Sequence, residues 1–237
     1  MLPHGWSEMV ASVDHGSDVD PMTSAQRLCA LCVQVAGVSG VALSVASADT
    51  RSTVWATDDL SDRLEDLQDT LGEGPTVDVL RNGESVLVAD LATYGGRWPA
   101  FSPAAAAAGA GAMFVLPLRM GSAHVGTLAL HRREAGPLED EQFKDAWVLA
   151  EAATVLLMLS ARDGEGVEAS GWVLGDRSRF HPEVHQAVGV TMVHLDVGPR
   201  DAFARICAHA FASNTPVGAV AAQIVAGKLR LEMDRRD

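Results

Sequence analysis

The chain has 237 residues, of which 48% are hydrophobic and 21% are charged. This length accommodates one large domain or two modest ones, and the apolar content excludes a wholly disordered chain. No apolar run reaches the roughly 20 residues that a membrane span needs, so we expect no membrane partner. Three cysteines are too few for a disulfide framework. Together with the lack of a signal-peptide pattern, this predicts a cytoplasmic protein.

The net charge of −13 is carried by the first three quarters of the chain. Residues 1–179 hold 12 Lys and Arg against 25 Asp and Glu, whereas residues 180–237 hold 6 against 6 and four of the eight histidines. An acidic body with a neutral tail indicates two modules with different partners. The charge also argues against a general nucleic-acid binder, which is usually basic.

Hydrophobic periodicity predicts the elements of the body in chain order. Residues 1–23 lack periodicity and are predicted to be a disordered leader. Gly-containing segments, among them 72-GEGPT-76 and Asn82-Gly83, predict turns. The first predicted helix has Thr23 as its N-cap and ends at Gly37. The other predicted helices cover 60–71, 104–108 and 139–161, and the predicted strands cover 41–45 (half-buried), 52–56, 85–89, 113–117 and 125–131.

The order helix, strands, helix, strands, helix predicts an α+β domain with an antiparallel sheet over residues 24–162. The Gly- and Glu-rich start of residues 163–179 predicts a linker. Residues 180–233 predict three helices of about 13–16 residues, because proline-containing starts separate three stretches with helical spacing of apolar residues. These starts are Pro182, Gly198-Pro199 and Thr215-Pro216.

The body carries several motifs in a fixed order. They are 72-GEGPT-76 followed by Asp78, Val79, Leu80 and Gly83, then Asp90-Leu91, 97-RWPAF-101 and a long final helix opened by Glu139-Asp140. In this order they make residues 24–161 resemble a GAF domain, a module that senses small molecules. The resemblance implies a small-molecule ligand in the sensor.

The tail carries a second set of motifs. They are 183-EVHQAVGVTM-192, 201-DAFARI-206, 208-AHAFASNTP-216 and 220-VAAQIVAGKLRL-231. In this order they resemble an ANTAR domain, an RNA-binding module of transcription antitermination regulators. The two resemblances together imply an antiparallel-sheet GAF-like sensor domain followed by a small three-helix ANTAR-like domain, as in actinobacterial-type regulators. They further imply a cytoplasmic homodimer whose tails bind paired RNA hairpin loops and keep a terminator from forming.

The sequence departs from these families at several positions. Relatives often carry basic residues where this chain has Val188 and Cys207, and another near Gly227. Because each phosphate contact adds to RNA affinity, these departures predict weak RNA binding or the use of other residues. Thr76 stands where many sensor relatives have Cys, which removes a thiol that a redox-active sensor would use.

Polar tail residues are the candidate RNA contacts. Amide, guanidinium and imidazole groups can bond to or stack on the splayed bases of an RNA loop. The alternative is an ordinary solvated face. A basic end could follow the RNA phosphate backbone, and its alternative is exposed terminal charge; it consists of Lys228, Arg230, Arg235 and Arg236. The candidate RNA contacts are Gln186, Ala187 (as a flat spot for a base), Gly189, Arg205, His209 and Asn214.

Three aromatic residues of the body, Trp55, Trp98 and Phe101, are candidates to line a ligand cavity in the sensor. The alternative is that they belong to the core. The backbone of 72-GEGPT-76 could also donate to an anion, although Pro75 removes one donor.

The sequence predicts neither catalysis nor a metal or cofactor. Cys29 and Cys32 form CxxC at helical spacing on an apolar stripe, which favours two core residues over a zinc site that needs four ligands. Neither a nucleophile elbow nor an HExxH motif occurs.

Two further hypotheses concern how the modules work together. The helix over 139–161 is the expected coupling element, pairing with its twin in a dimer through a stripe from Phe143 to Leu157. The alternative function is a ligand- or protein-binding GAF module whose helical tail only mediates dimerisation.

Overall fold

The computed structural model describes residues 21–46, 51–121, 123–162, 182–213 and 215–231. Within these ranges, a five-stranded sheet and five helices are followed by three more helices. The helices are α1 (Pro21–Ala36), α2 (Asp59–Leu71), α3 (Pro75–Asn82), α4 (Phe101–Ala108), α5 (Asp140–Arg162), α6 (Pro182–Leu195), α7 (Pro199–Ala212) and α8 (Val217–Val225). The strands are β1 (Gly40–Ala46), β2 (Arg51–Ala56), β3 (Val86–Val88), β4 (Ala112–Met120) and β5 (Ala123–Arg132), and a short 3₁₀ helix spans Leu91–Tyr94. Among the described helices, none is long and apolar enough to cross a membrane.

The sheet is antiparallel, with the strand order β2-β1-β5-β4-β3. Alternate side chains of a strand point to opposite faces, so each strand contributes to two cores. Val41 and Leu43 of β1 pack in a cluster with α1 and α5, whereas Ala42 packs on the other face among residues of α2, α3 and α4. The α+β prediction is confirmed.

The two-sided packing corrects one expectation for β1. The sequence predicts a half-buried strand, but the first five of its seven residues are buried because helices cover both faces of the sheet. The neighbouring strand approaches closely: a Cβ on Gly126 of β5 would collide with the backbone carbonyl of Ser44. Only glycine fits this position.

The helix boundaries differ from prediction in three helices. α1 begins at Pro21, so Thr23 lies inside the helix and the predicted leader is shortened at its end; residues 1–20 lie outside the described ranges. α4 begins at Phe101 rather than at Ala104. The third tail helix has nine residues, with Pro216 as its N-cap. Short-range sequence patterns show where a helix lies, but the predicted first and last residues can be wrong by about one helical turn.

The predicted turn at 72-GEGPT-76 is shorter than expected, because its last two residues already belong to a helix. Pro75 opens α3, which suits proline because the first helical N–H has no partner in the helix. Gly83 ends α3 with φ 73°, a left-handed conformation that favours glycine. The predicted turn at Asn82-Gly83 is therefore the end of a helix.

The stripe on α5 is internal to the sensor. Ala146, Ala150, Ala153 and Leu157 are buried and Phe143 packs against the same cluster, since α5 lies on α1 and β4. This corrects the hypothesis that the Phe143–Leu157 stripe pairs with a twin helix in a dimer. An apolar stripe has the same spacing whether it meets its own domain or another copy.

The tail folds as the predicted three helices. Its core contains Ala187, Ile206, Ala210, Val220 and Ile224, contributed by all three helices. Pro182 and Pro199 each open a helix, as predicted. α7 and α8 lie against α2 of the sensor, and the predicted linker over 163–179 falls outside the described residues.

Candidate functional site

The GEGPT motif ties two distant segments of the sensor together. Glu73 Oε1 accepts hydrogen bonds from the backbone N–H groups of Ala100 at 2.7 Å and Phe101 at 2.8 Å. These donors stand at the start of α4, where helical N–H groups lack internal partners. The motif thus caps a helix with its carboxylate, which is a structural role different from the predicted anion site.

The RWPAF motif is held by Asp78 of α3. Asp78 Oδ2 accepts from Arg97 Nε at 2.9 Å and from the Trp98 indole N–H at 3.1 Å. The Arg97 guanidinium lies 4.9 Å from the centre of the Trp98 ring. The Tyr94 ring stacks on the same indole, with the two ring centres 5.5 Å apart. Two of the motifs that carry the GAF resemblance are therefore held to each other by hydrogen bonds.

The three aromatic candidates for a ligand cavity are not brought together. Trp98 and Phe101 are 1% and 0% exposed and belong to the core under α2, α3 and α4. Trp55 is half-buried on the opposite face of the sheet, where it packs with the α1 and α5 cluster. The expectation that these residues line one cavity is corrected, because the sheet itself separates them. Trp98 and Phe101 are core residues, as the alternative prediction states.

A small pocket does lie beside the RWPAF motif. It has a volume of about 170 Å³ and is lined in part by Asn82, Glu84, Tyr94 and Arg97. Ligand pockets usually enclose about 300–1,000 Å³, so this one accommodates only a small polar group.

A buried polar network joins α2, α3 and the sheet. Thr76 Oγ1 donates to Glu65 Oε1 at 3.0 Å, and Gln68 Nε2 donates to both atoms at 3.0 Å. The Thr76 backbone N–H donates to Gln68 Oε1 at 2.7 Å, and Ser44 Oγ donates to Glu65 Oε2 at 3.4 Å. Thr76 is thus an integral part of this network. Thr127, which pairs with Ser44 in the sheet, has a buried Oγ1 without a hydrogen-bond partner in the described structure.

A second buried cluster brings Ser61, His131 and Asp58 together, which the sequence did not predict. Asp58 caps α2 by accepting from the Ser61 N–H at 2.7 Å. His131 Nδ1 lies 3.5 Å from Ser61 Oγ, and its Nε2 lies 3.6 Å from Asp58 Oδ2. Burial lowers the pKa of His131, an effect that the Asp58 carboxylate opposes and Arg133 reinforces.

This cluster does not form a nucleophilic triad. Its two key distances exceed ordinary hydrogen-bond length, and Ser61 and His131 are buried where a substrate cannot reach them. A Cβ on Gly40 would collide with the imidazole, so the cluster fills the space above a glycine of β1.

The CxxC pair is part of the core, as predicted. Cys29 and Cys32 are both 0% exposed, and burial raises the pKa of each thiol, that of Cys32 to about 12. Across the described ranges, no group of three or more His, Cys, Asp and Glu side chains could hold a metal ion.

The outward face of α6 carries two of the candidate RNA contacts. Gln186, Gly189, Val190 and Val193 follow the spacing i, i+3, i+4, i+7, and all four are exposed, Val193 to 87%. Ala187 lies on the inward face at 0% exposure, in the core of the tail. The candidate role of Ala187 as a flat spot for a base is therefore corrected.

Arg205 and His209 lie on one side of α7, because residues four apart are neighbours on a helix surface. Both are half-exposed. Ser213 Oγ donates to the His209 carbonyl at 2.7 Å and so closes the end of this helix. Asn214 lies outside the described residues.

A groove of about 720 Å³ runs between the second half of α6 and the segment that follows α8. Its lining includes Gly189, Val193 and His194 from α6 and Arg230 from the basic end. The same groove is thus lined by Gly189, a predicted RNA contact, by Arg230 of the basic end, and by apolar side chains. Arg235 and Arg236 lie outside the described ranges.

The structure shows the surroundings of the three positions that depart from the ANTAR pattern, Val188, Cys207 and Gly227. Val188 is 5% exposed in the core of the tail. Burial, with a smaller contribution from Asp69 of α2, raises the pKa of Cys207 to about 12. Gly227 has φ 68°, a conformation in which a larger side chain would be strained.

Comparisons with known proteins agree with this architecture. The sequence profile of the GAF domain matches residues 20–158, and that of the ANTAR domain matches residues 176–225. No curated protein matches the chain.

Two solved structures share the sensor fold. The GAF domain of a phosphoenolpyruvate-protein phosphotransferase from Coxiella burnetii is 12% identical with a TM-score of 0.51, covering 67% of this chain and 93% of that one. The corresponding GAF domain from Acinetobacter is 9% identical with a TM-score of 0.50, covering 67% and 96%. GAF and ANTAR domains are regulatory domains. The chain belongs to the GAF and ANTAR domain-containing regulators.

Proposed function

We propose that this protein is a transcription antitermination regulator whose tail binds RNA hairpin loops under the control of the sensor domain. The observation that carries the proposal is the coincidence of the ANTAR match with a three-helix module in which Gln186, Gly189 and Arg230 are exposed. The protein works as a cytoplasmic homodimer in this proposal, and its sensor responds to a small molecule.

The chemistry of the tail suits an RNA loop better than a duplex. The groove offers apolar side chains against which an unpaired base can pack, with Arg230 and His194 beside it. Arg205 and His209 add a guanidinium and an imidazole on α7. With a neutral tail and few cations, most of the affinity must come from base contacts rather than from phosphates.

The test is selection of RNA from a pool of tandem hairpins with randomised loops, using the full chain, followed by a salt titration of the recovered RNA. We expect loop-dependent binding with a shallow salt dependence, since few phosphates are contacted. If the selected RNAs bind no better than the same hairpins with scrambled loop sequences, the proposal is wrong.

A second candidate is a tail that serves only in dimerisation. Val190, Val193 and Val225 are exposed at 48%, 87% and 39%, and two identical apolar surfaces can cover each other. The two candidates differ in RNA binding, because a tail that serves only in dimerisation enriches no RNA loop. In that case the charged substitution Val193→Glu should convert a dimer to a monomer, and this candidate is wrong if the oligomeric state is unchanged.

A further inference from the structure

The groove of the tail has the size of a small-molecule site. Its volume of about 720 Å³ falls within the range of about 300–1,000 Å³ that is typical of ligand pockets. Ile224 and Leu231 are buried parts of its lining. Val190, Val193 and Val225 are exposed parts of it. A concave apolar surface that is open to water in this way is typical of a binding site.

The apolar part of the lining is aliphatic. Its side chains come from valine, isoleucine and leucine, and no aromatic residue is among the described residues that line the groove. RNA bases are usually stacked on aromatic rings or on guanidinium planes. Aliphatic side chains favour a flexible alkyl chain, because this contact depends on buried apolar area and not on a flat ring. The lining therefore suits an alkyl chain at least as well as a base.

The charged part of the lining has one sign. Arg230 is a cation and His194 becomes one when protonated, whereas neither Asp nor Glu occurs among the described lining residues. The whole chain, by contrast, has a net charge of −13. An Arg side chain presents N–H donors in a planar fork that matches the two oxygens of a carboxylate. Since the groove offers a single permanent cation, charge complementarity favours a singly charged carboxylate.

Gly189 leaves the groove open on the side of α6. Apart from its own helical turn, a Cβ at this position would meet no heavy atom within 4 Å. A side chain at position 189 would therefore extend into the free space of the groove. Because leucine is favoured over glycine inside a helix, Gly189→Leu should narrow the groove while the tail stays folded.

We propose that this groove binds an unbranched aliphatic carboxylate of medium chain length, with the alkyl chain on the aliphatic lining and the carboxylate on Arg230. The ligand binds to the tail itself and not to the sensor. One consequence rests on the proposed function: the carboxylate competes with RNA, since the same groove is assigned there to an unpaired base. The tail then responds to alkyl carboxylates directly, without a signal from the sensor.

The test titrates the full chain, with its methyl groups labelled for NMR, with hexanoate, octanoate and decanoate. We expect the methyl signals of Val193 and Val225 to shift and those of Val41, in the sensor core, to stay unchanged. Each fully buried methylene strengthens binding about fourfold. Because the groove is open on one side, the affinity should rise about tenfold for every two carbons added.

Three comparisons test the contacts in the groove. Decyltrimethylammonium has the chain of decanoate and a cationic head group, and it should bind at least about tenfold more weakly. Arg230→Ala should weaken binding of decanoate about tenfold. Lys228→Ala is the matched control, because it removes a cation from an exposed position that does not line the groove, and it should bind within about twofold of the unchanged protein. Gly189→Leu should weaken binding about tenfold or more, since its side chain takes the space of the alkyl chain.

Competition is measured with the tandem hairpin recovered by the selection described above. Decanoate at about ten times its dissociation constant should weaken RNA binding about tenfold, and Arg230→Ala should reduce this effect. If decanoate binds in the groove and leaves RNA binding unchanged, the inferred competition is wrong. If the selection enriches no RNA, the proposed function fails, whereas a carboxylate site located by NMR stands.

Two outcomes would overturn the carboxylate site itself. The first is that decanoate shifts neither Val193 nor Val225, which is also the result expected if a second copy of the chain covers the groove. The second is that the cationic analogue binds as tightly as decanoate, or that Arg230→Ala and Lys228→Ala bind decanoate equally. In that case the groove does not select a carboxylate.

Discussion

The sensor and the tail use their motif residues in opposite ways. In the sensor, Glu73 and Asp78 direct their carboxylates to other parts of the same domain. In the tail, Gln186 and Gly189 lie on an outward face of α6. The most recognisable motifs of this chain are thus tied to structure, whereas its candidate binding surface rests on weaker patterns. A strong motif reports a constraint on the sequence, and only the structure shows whether the constraint is a ligand or another segment of the fold.

The largest effect that tests this contrast concerns two phenylalanines. Phe101→Ala should lower the free energy of unfolding by about 3–5 kcal/mol, because the ring is fully buried in the sensor core. Phe211→Ala, at a tail position that is 61% exposed, should change it by less than about 0.5 kcal/mol. Urea unfolding followed by circular dichroism measures both. A stable Phe101→Ala variant would restore this residue as a cavity-lining candidate.

The next effect concerns the carboxylate that ties the two sensor motifs together. Glu73→Ala should cost about 1–2 kcal/mol of unfolding free energy, since two N–H groups at the start of α4 lose their acceptor. Glu84→Ala, which removes an exposed carboxylate, is the control and should be near neutral. Equal stability of the two variants would show that the motif has a role other than capping.

In the tail, removal of a side chain should affect binding and leave folding unchanged. Arg205→Ala should weaken binding of the selected RNA about fivefold and reduce the salt slope by about 1 if the guanidinium meets a phosphate. Fluorescence anisotropy at several salt concentrations measures both quantities. Arg27→Ala on the exposed surface of α1 is the charge-matched control. If the Arg205 variant binds the RNA as tightly as the control variant, Arg205 does not contribute to the RNA interface.

The smallest expected effect is a pH dependence of sensor stability. Burial lowers the pKa of His131 below its ordinary value of 6.5, so the unfolded chain takes up a proton more readily than the folded chain. Stability should therefore fall as the pH is lowered through 6.5, and this fall should be smaller in His131→Gln. Thermal unfolding between pH 7.5 and about 5.5 measures the two slopes. Identical slopes would mean that another group causes the acid sensitivity.

The parts of the fold that the sequence predicts well are set by local rules. The leucine spacing of α2 and the prolines that open α6 and α7 act within a few residues, and these helices lie where expected. The orientation of Trp55 could not be predicted in this way. Its face depends on the pairing of β2 with β1, and that pairing shifts between Leu43 and Ser44.

The candidate site shows the same limit. The burial of Glu65 and Gln68 could not be predicted from the acidic sequence of their helix, because their partners Thr76 and Ser44 come from other elements. Ala187 and Gly189 are neighbours in one motif, yet the 3.6-residue period of α6 turns the first inward and leaves the second exposed. Whether a residue that matches a motif faces a ligand is decided by packing between elements.

The strand order has a consequence for biosynthesis. β1 lies between β2 and β5, and β5 is the last strand of the sensor to leave the ribosome. Until it emerges, one edge of β1 has no strand to pair with, and such edges invite pairing with other chains. The tail, by contrast, is held by contacts among three consecutive helices, and local contacts form quickly. We therefore expect the nascent sensor, rather than the tail, to be the part of this protein that depends on chaperones.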